Sequence, residues 1–475
     1  MRDERIQHVI VLMLENRSFD HMLGFLGPVH PNKGMRALKG DETNPDGDGK
    51  PVRVSDQATP RVVADSNHSH AGVIEQVLGR HVPEPKPPYA ITMQGFVTSN
   101  SDADGRYSKN AVMQCFRPDR TLGRLALEFA VCDRWFCSVP GETWPNRQYA
   151  HAGTSHGTVD IEVKLYTDPT IFEQLNGSWR VYHEGPAQVW AYRKLWSKGS
   201  GDHFHGHDAL ISDIGSGDLP SYAFVEPDHG LVFRDWFDRS NSQHPHNNAM
   251  SDRDFLAGEE LIRSIYEALR RNRTLFEKTL FVVTYDEHGG FFDHEHPPAG
   301  QAPAIAPDEH RPKNGFAFDL LGPRVPTVLI SPWIRQHCVD SQIYDHSAIP
   351  ATLLQLFVPG TRNLGRRVAV SATFPDRACW LDAPRAELPT LDQPEPLARA
   401  ARRRERVDPD ASREPRNAFQ QSLITLAQQI DEEFDAELGS APVRRRRVER
   451  GAPSLGTARE QSEFLERMQE KIRRR

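Results

Sequence analysis

The sequence predicts an α/β fold, a sandwich with a mainly parallel central sheet and helices on both faces. Three observations carry that expectation. His8 to Leu14 and Leu280 to Tyr285 are short apolar runs rich in β-branched residues. Too short for buried helices, such runs read as strands covered on both faces, as in a parallel sheet. Each run breaks directly into a polar cluster, Glu15-Asn16-Arg17-Ser18 after the first and Asp286-Glu287-His288-Gly289-Gly290 after the second. Strand-like runs then alternate with amphipathic helical ones, the pattern of an α/β sandwich.

The chain has 475 residues. At ~150 residues per domain that allows two or three domains, although α/β enzymes of this size often form one extended unit. Charged residues make up 26% and the net charge is -7, which argues against a strongly basic nucleic-acid binder. Met1 to Arg5 lead straight into the first strand, whose apolar run is shorter than an export signal needs, and no segment approaches the ~20 apolar residues of a membrane span. The expectation is a cytoplasmic protein as written, secreted if the sequence has been trimmed. The five cysteines, Cys115, Cys132, Cys137, Cys338 and Cys379, are odd in number and widely spaced. They read as small buried hydrophobes rather than a disulfide framework.

In chain order, the first strand delivers Glu15 and Asn16 to the carboxyl edge of the sheet, where open α/β folds bind ligands. Met22 to Leu26 continue as a short helix. Residues 27–67, rich in Pro, Gly, Asp and Asn, form a surface insertion without the spacing or closing glutamate of a calcium loop. His68-Ser69-His70 make the polar first turn of a helix carrying Val73, Ile74, Val77 and Leu78. A helix over Leu125–Ala130 passes into a strand over Val131–Phe136, and Ser138 to Glu142 turn sharply. Pro145 suits a first helical position, because its missing N–H and fixed φ cost nothing there. Thr143 then stands at or just before the helix cap, its hydroxyl among free N–H groups at the positive end of the helix dipole. Such a threonine either caps the helix or carries a stabilised alkoxide, and spacing alone favours the cap.

Ser221 to Pro227 read as a strand ending in an acid, Glu226, followed by a histidine-rich loop with His229, His244 and His246. A helix with Phe255, Leu261, Ile262, Ile265 and Leu269 on one face leads into the second acidic strand. Val325 to Ser331 form a further strand, and Asp345-His346-Ser347 cap a helix over Ala348–Phe357. The character changes near residue 375, which divides a catalytic domain, 1–375, from a charged, partly helical extension, 376–475. Phe419, Leu423, Leu426, Ile430, Phe434 and Leu438 make a stripe ended by Gly439, and Phe464, Met468 and Ile472 a weaker one. The first stripe packs on the main domain or on a second subunit, so the oligomeric state stays open. Arginine runs at 402–404, 444–447 and 473–475 offer peripheral contact with an anionic membrane, diluted by interspersed acids.

Either acidic strand end alone is most simply an ordinary strand end with solvated acids. If the two strands are neighbours, three carboxylates and a carboxamide converge, an arrangement costly without a divalent cation. An all-oxygen set of four ligands plus a hydroxyl admits calcium, magnesium, manganese, zinc or iron.

Five blocks resemble the phosphoesterase family, which holds bacterial phospholipases C, plant non-specific phospholipases C and related acid phosphatases. They are Val9 to His21, Asp133 to Pro140, Thr143-Trp144-Pro145-Asn146-Arg147, Tyr285 to His294, and Asp345 to Pro350. The resemblance covers roughly residues 5–360 and not the extension. It implies an alkaline-phosphatase-like fold with one catalytic divalent metal. Glu15, Asn16, Asp286 and Glu287 match the metal ligands, with Thr143 as both nucleophile and ligand. His68 and His244 match the histidines that contact the phosphoryl group, and Asn16, Asn146 and His288 are the further phosphate-binding candidates. His294 and His346 lie in matching motifs without an assigned role. The implied activity is a phospholipase C that cleaves glycerophospholipids such as phosphatidylcholine to diacylglycerol and a phosphorylated head group, through a phosphothreonine intermediate. A soluble acid-phosphatase-like phosphomonoesterase is the alternative, and a non-catalytic metal-binding scaffold a weaker one. A diacylglycerol leaving group needs an apolar approach, for which Trp144, the 27–67 insertion and the tail helices are the candidates.

Overall fold

A computed structural model describes residues 5–60, 65–100, 109–196, 201–245, 253–299, 315–361, 364–393, 406–411, 417–437 and 457–474. The two acidic strands lie at the centre of an eight-stranded sheet. They are β1 (His8–Leu14) and β8 (Thr279–Tyr285), and every residue of β1 from Val9 onward and of β8 is at most 1% exposed. Around them stand β4 (Ala130–Cys132), β5 (Trp179–Tyr182), β6 (Phe204–His205), β7 (Tyr222–Val225), β9 (Thr327–Ile330) and β10 (Cys338–Asp340). The order is β10-β4-β9-β8-β1-β7-β5-β6. β1 pairs in parallel with β7 and β8. Near-continuous apolar runs in the central strands agree with burial on both faces, since such a strand has no polar alternation to show; the buried Thr284 hydroxyl is satisfied by that of Thr327 at 2.7 Å.

β9 runs antiparallel to both β4 and β8. Its apolar sequence fits a buried strand of either direction, so orientation was not legible in it. The 27–67 insertion contains a short antiparallel hairpin of β2 (Thr43–Pro45) and β3 (Pro51–Arg53). Asp46 makes its turn: Oδ1 accepts from the N–H groups of Asp48 and Lys50, both at 2.9 Å, and Gly49 takes φ 77°.

Helix α1 (Phe19–Leu23) is capped by the Ser18 hydroxyl and α2 (His70–Leu78) by that of Ser69. After α3 (Phe96–Ser99) and α4 (Thr121–Glu128), helix α5 spans Thr143–Ala152 with Glu142 at its N-cap. Thr143 is therefore the first helical residue and Pro145 the third, two places later than its spacing suggested. Proline is tolerated there because the first-turn N–H groups have no acceptor within the helix.

The two tail helices, Ala418–Glu437 and Ala458–Arg473, pack on the main body. Leu423, Leu426, Ile430, Phe434, Leu465, Met468 and Ile472 share one buried cluster with the sheet. Gly439 and the arginine runs at 402–404 and 444–447 lie outside the described residues, as does Arg475. No helix among the described residues is long and apolar enough to cross a membrane.

The cysteine expectation needs correction. Cys115, Cys132 and Cys137 are buried thiols, but Cys338 and Cys379 form a disulfide with Cα atoms 5.8 Å apart. Forty-one residues separate them in sequence. What joins them is tertiary: the Asp376 N–H donates to Asp340 Oδ2 at 2.8 Å, which folds the 377–379 turn onto β10.

Candidate active site

The site begins where β1 and β8 end together. Leu14 is paired with Tyr285, so Glu15 and Asp286 leave the sheet side by side. The chains stay joined beyond the sheet: Asn16 N–H donates to Asp286 Oδ1 at 3.1 Å and Arg17 N–H to the Glu287 carbonyl at 3.0 Å. Asn16 takes the left-handed φ of 58°, which asparagine tolerates better than most residues. Gly289, at φ 66°, passes so close that a Cβ there would stand 2.1 Å from the Asn16 carbonyl oxygen. Only glycine allows this approach.

Arg147, one turn along α5 from Thr143, neutralises the cluster from within. Fully buried, it donates from Nε to Asp286 Oδ2 at 3.0 Å, from Nη1 to Glu226 Oε1 at 2.9 Å and from Nη2 to the Met13 carbonyl at 3.2 Å. Its Nη2 is 3.8 Å from Glu15 Oε1. His229 bridges the other side, with Nδ1 3.0 Å from Glu15 Oε2 and Nε2 2.8 Å from Glu226 Oε1. Burial alone would depress the His229 pKa, but the Glu15 and Glu226 carboxylates outweigh it and lift the value to about 10. Burial likewise opposes ionisation of Glu15, yet His229 and Arg147 hold it down at about 2.

His229 gives a pH prediction. Its pKa is raised on folding, so its contribution to stability is fully present below its ordinary 6.5 and is lost as pH rises through about 10. In metal-free protein the melting temperature is expected to fall over that window. His229→Gln, which keeps a hydrogen-bonding shape without the charge, is expected to remove that part of the slope. Parallel melts of the two proteins from pH 6 to 11 check it, and an unchanged slope counts against the ion pair.

The Thr143 hydroxyl, at the start of α5, is 3.5 Å from Asn16 Oδ1. Glu287 follows the end of β8: Oε2 accepts from Gly289 N–H at 2.7 Å, and Oε1 is 3.2 Å from His68 Nδ1. Burial disfavours the Glu287 anion, but His68 and His288 hold it at about 2. The same pairing, with Asp65 at 3.5 Å from Nε2, raises the His68 pKa well above normal in spite of burial. Burial lowers that of His244, whose ring centre is 6.3 Å from that of His68. One donor atom each from Asp65, His68 and His244 lies within 4.8 Å of the others.

The residues fit a divalent cation. Glu15 Oε1, 3.8 Å from Arg147 Nη2, and Glu287 Oε1, 3.2 Å from His68 Nδ1, are buried oxygens of carboxylates held ionised that make ion-pair contacts but no well-aligned hydrogen bond among the described residues. Buried carboxylate oxygens of this kind are the donors a hard cation selects. Asn16 Oδ1 and Thr143 Oγ1, 3.5 Å apart, are the further oxygen donors at the same strand ends.

Not every expected residue offers a free atom. Asp286 joins the cluster, but Oδ1 accepts from the N–H groups of Asn16 and Glu287 and Oδ2 from Arg147. Burial, with Glu15 and Glu287 adding to it against Arg147, raises its pKa to about 7. Asn146 spends its amide on the turn before α5, accepting from Val139 N–H and donating to the carbonyls of Val139, Gly141 and Glu142. It shapes that turn, and the phosphate contact expected of it is not what its atoms do here. His288 stands between Gln76 Oε1, 2.7 Å from Nε2, and Glu287. His346 Nε2 is 2.6 Å from the Asp286 carbonyl oxygen. His294 pairs with Asp20 in a separate network around Arg324. Trp144 is fully buried and donates to the Ser422 hydroxyl at 2.7 Å, so it provides no apolar approach for lipid. His246 lies outside the described residues.

Sequence reading missed roles for Arg147, Glu226, His229 and Asp65. Arg147 stood inside a quoted block and Glu226 at a strand end, and the need to balance converging carboxylates was the available signal. The family-wide sequence pattern described as the phosphoesterase family matches residues 6–358. The chain is 35% identical over 412 residues to the non-specific phospholipase C6 of Arabidopsis thaliana, covering 82% of this chain and 76% of that protein. It is 26% identical over 409 residues to the non-hemolytic phospholipase C of Pseudomonas aeruginosa, covering 74% of this chain and 54% of that one. A solved structure described as a protein in the alkaline phosphatase superfamily from Vibrio parahaemolyticus superposes with TM-score 0.32 at 10% identity, over 78% of this chain and 71% of that one.

Proposed function

This chain belongs to the phosphoesterase family and is a hydrolase of phosphoric esters of the phospholipase C type; on that premise we propose that it cleaves glycerophospholipids such as phosphatidylcholine to diacylglycerol and a phosphorylated head group. The observation that carries the reading is the Thr143 hydroxyl 3.5 Å from Asn16 Oδ1, at the paired strand ends that also carry the ionised Glu15 and Glu287.

Glu15, Asn16, Glu287 and Thr143 would hold a divalent cation, which supplies Lewis-acid stabilisation and lowers the pKa of a bound hydroxyl. Asp286 and Arg147 brace that set from below. Thr143 Oγ1 gives up its proton to solvent and attacks phosphorus, forming a phosphothreonine as the bond to the glyceryl oxygen breaks; when water later hydrolyses the phosphothreonine, the departing Thr143 oxygen regains a proton from solvent. His68, kept cationic by Glu287 and Asp65, gives its proton to the leaving oxygen. Now neutral, it takes a proton from the water that hydrolyses the phosphothreonine. Asn16 Nδ2, a buried donor with no partner among the described residues, is placed to stabilise a phosphoryl oxygen, as are the first N–H groups of α5.

The test is turnover of phosphatidylcholine in mixed micelles beside a soluble phosphomonoester, each with and without chelator. Chelator-sensitive release of diacylglycerol is expected. Hydrolysis of the monoester alone would make the protein a phosphatase, and metal binding with neither activity would make it a scaffold.

A further inference from the structure

We propose that Asn417, from the tail outside the family-matched segment, is a positioning residue for His244: its amide donates to Nδ1 and so places the imidazole proton on Nε2, making His244 a neutral hydrogen-bond donor to the phosphoryl oxygens. This rests on the reading of the site given above.

The geometry supplies the direction of the bond. Asn417 Nδ2 is 3.5 Å from His244 Nδ1. An amide and an imidazole can each be turned either way, and the roles are usually ambiguous. Here the other end of the amide is committed. Asn417 Oδ1 accepts from the Gln420 N–H at 2.8 Å, the N-cap bond of the first tail helix. Turning the amide over would point an N–H at an N–H and break the cap. The oxygen therefore stays on the helix, and it is the NH₂ group that meets the ring. A nitrogen that accepts carries no proton, which leaves the proton on Nε2.

The start of this helix is pinned to the site by contacts independent of Asn417. Gln420 Nε2 donates to the His229 carbonyl at 2.6 Å, the Phe419 ring packs edge-on to His229 at 4.9 Å, and the Arg147 guanidinium lies 5.5 Å over that ring. His229, Arg147 and His244 thus all meet one helix end. The charged groups that act on His244 are Asp65, Glu15 and Glu287, which favour its cation, and His68, which opposes it together with burial. A second imidazolium beside cationic His68 would be repelled, and the two histidines divide the work: His68 moves a proton, and His244 donates a hydrogen bond without losing one.

The experiment is Asn417→Asp in the full-length protein. Aspartate caps a helix as well as asparagine does but presents only acceptors. Nitrogen NMR of ¹⁵N-histidine-labelled protein, with His244 assigned from the spectrum of His244→Gln, is expected to show the Nε2–H tautomer in wild type and protonation at Nδ1 in Asn417→Asp. With it, kcat should fall roughly 10- to 100-fold, as for other groups that orient a working histidine, while KM, metal content and melting temperature stay unchanged. Asn417→Ser, which keeps the cap and loses the amide, should give mixed tautomers and a smaller loss. A wild-type ring protonated at Nδ1, or an Asn417→Asp protein with wild-type tautomer and kcat, would overturn the proposal. If the wild type cleaves no phosphoester, the functional reading fails while the tautomer comparison still decides this one.

Discussion

Replacing Thr143 with alanine is expected to lower kcat by roughly three orders of magnitude or more, the scale of losing a covalent nucleophile. The protein should otherwise survive the change. Thr143 is fully buried as the first residue of α5, but its side chain caps nothing: Glu142 is the N-cap residue, and the hydroxyl's contact is Asn16. Glu15, Asn16 Oδ1 and Glu287 remain to hold a cation, so metal content measured by elemental analysis should persist with reduced affinity. Thr143→Ser, which keeps the hydroxyl, should retain substantial turnover. Rapid acid quench of the wild type with a slow substrate should trap phosphate on the tryptic peptide containing residue 143. Turnover of the alanine variant within tenfold of wild type would remove Thr143 from the chemistry and, with it, the covalent route.

Replacing Arg147 with methionine is expected to be the most destabilising single change in the site, costing about 3–5 kcal/mol, the scale of leaving buried charges without their partner. The methionine fills much of the volume, so the loss is electrostatic. It strands Asp286, Glu226 and Glu15, all 0% exposed, with His229 as the one remaining cation in contact with the latter two among the described residues. The deficit should shrink at lower pH. Asp286 already has its pKa raised to about 7 with Arg147 present, and a neutral carboxyl is cheaper to bury than an anion. Melting curves at pH 6 and pH 8 test both statements. A drop that is small, or larger at pH 6, would show that these carboxylates do not depend on the guanidinium.

Much of this molecule is written locally. The apolar runs of β1 and β8 identify themselves because a strand buried on both faces needs every side chain apolar, whatever its neighbours. Glu15, Asn16, Asp286, Glu287 and Thr143 stand in the stretches that follow such strands or open a helix, but the local pattern favoured solvated acids and a helix cap, and it was the matching motif blocks that singled these residues out. The caps at Ser18 and Ser69 and the helix over Ala348–Phe357 are of the same kind, set by a few consecutive residues.

The rest was decided only when distant segments met. Arg147 looked like one charged residue among many until the ends of β1, β7 and β8 converged on it. His229 acquired its role from carboxylates that lie 214 residues upstream and 3 residues upstream. Trp144 turned inward because a helix nearly three hundred residues later covers it, and the Cys338–Cys379 bond formed across a 41-residue separation for the same reason. β9 reversed direction without any change in its composition. Periodicity and capping are short-range properties and can be read from neighbours in the chain. Charge compensation, amide orientation and strand direction depend on which segments come into contact, and in this protein that is fixed by the register of β1 against β8 and by where the tail helix docks.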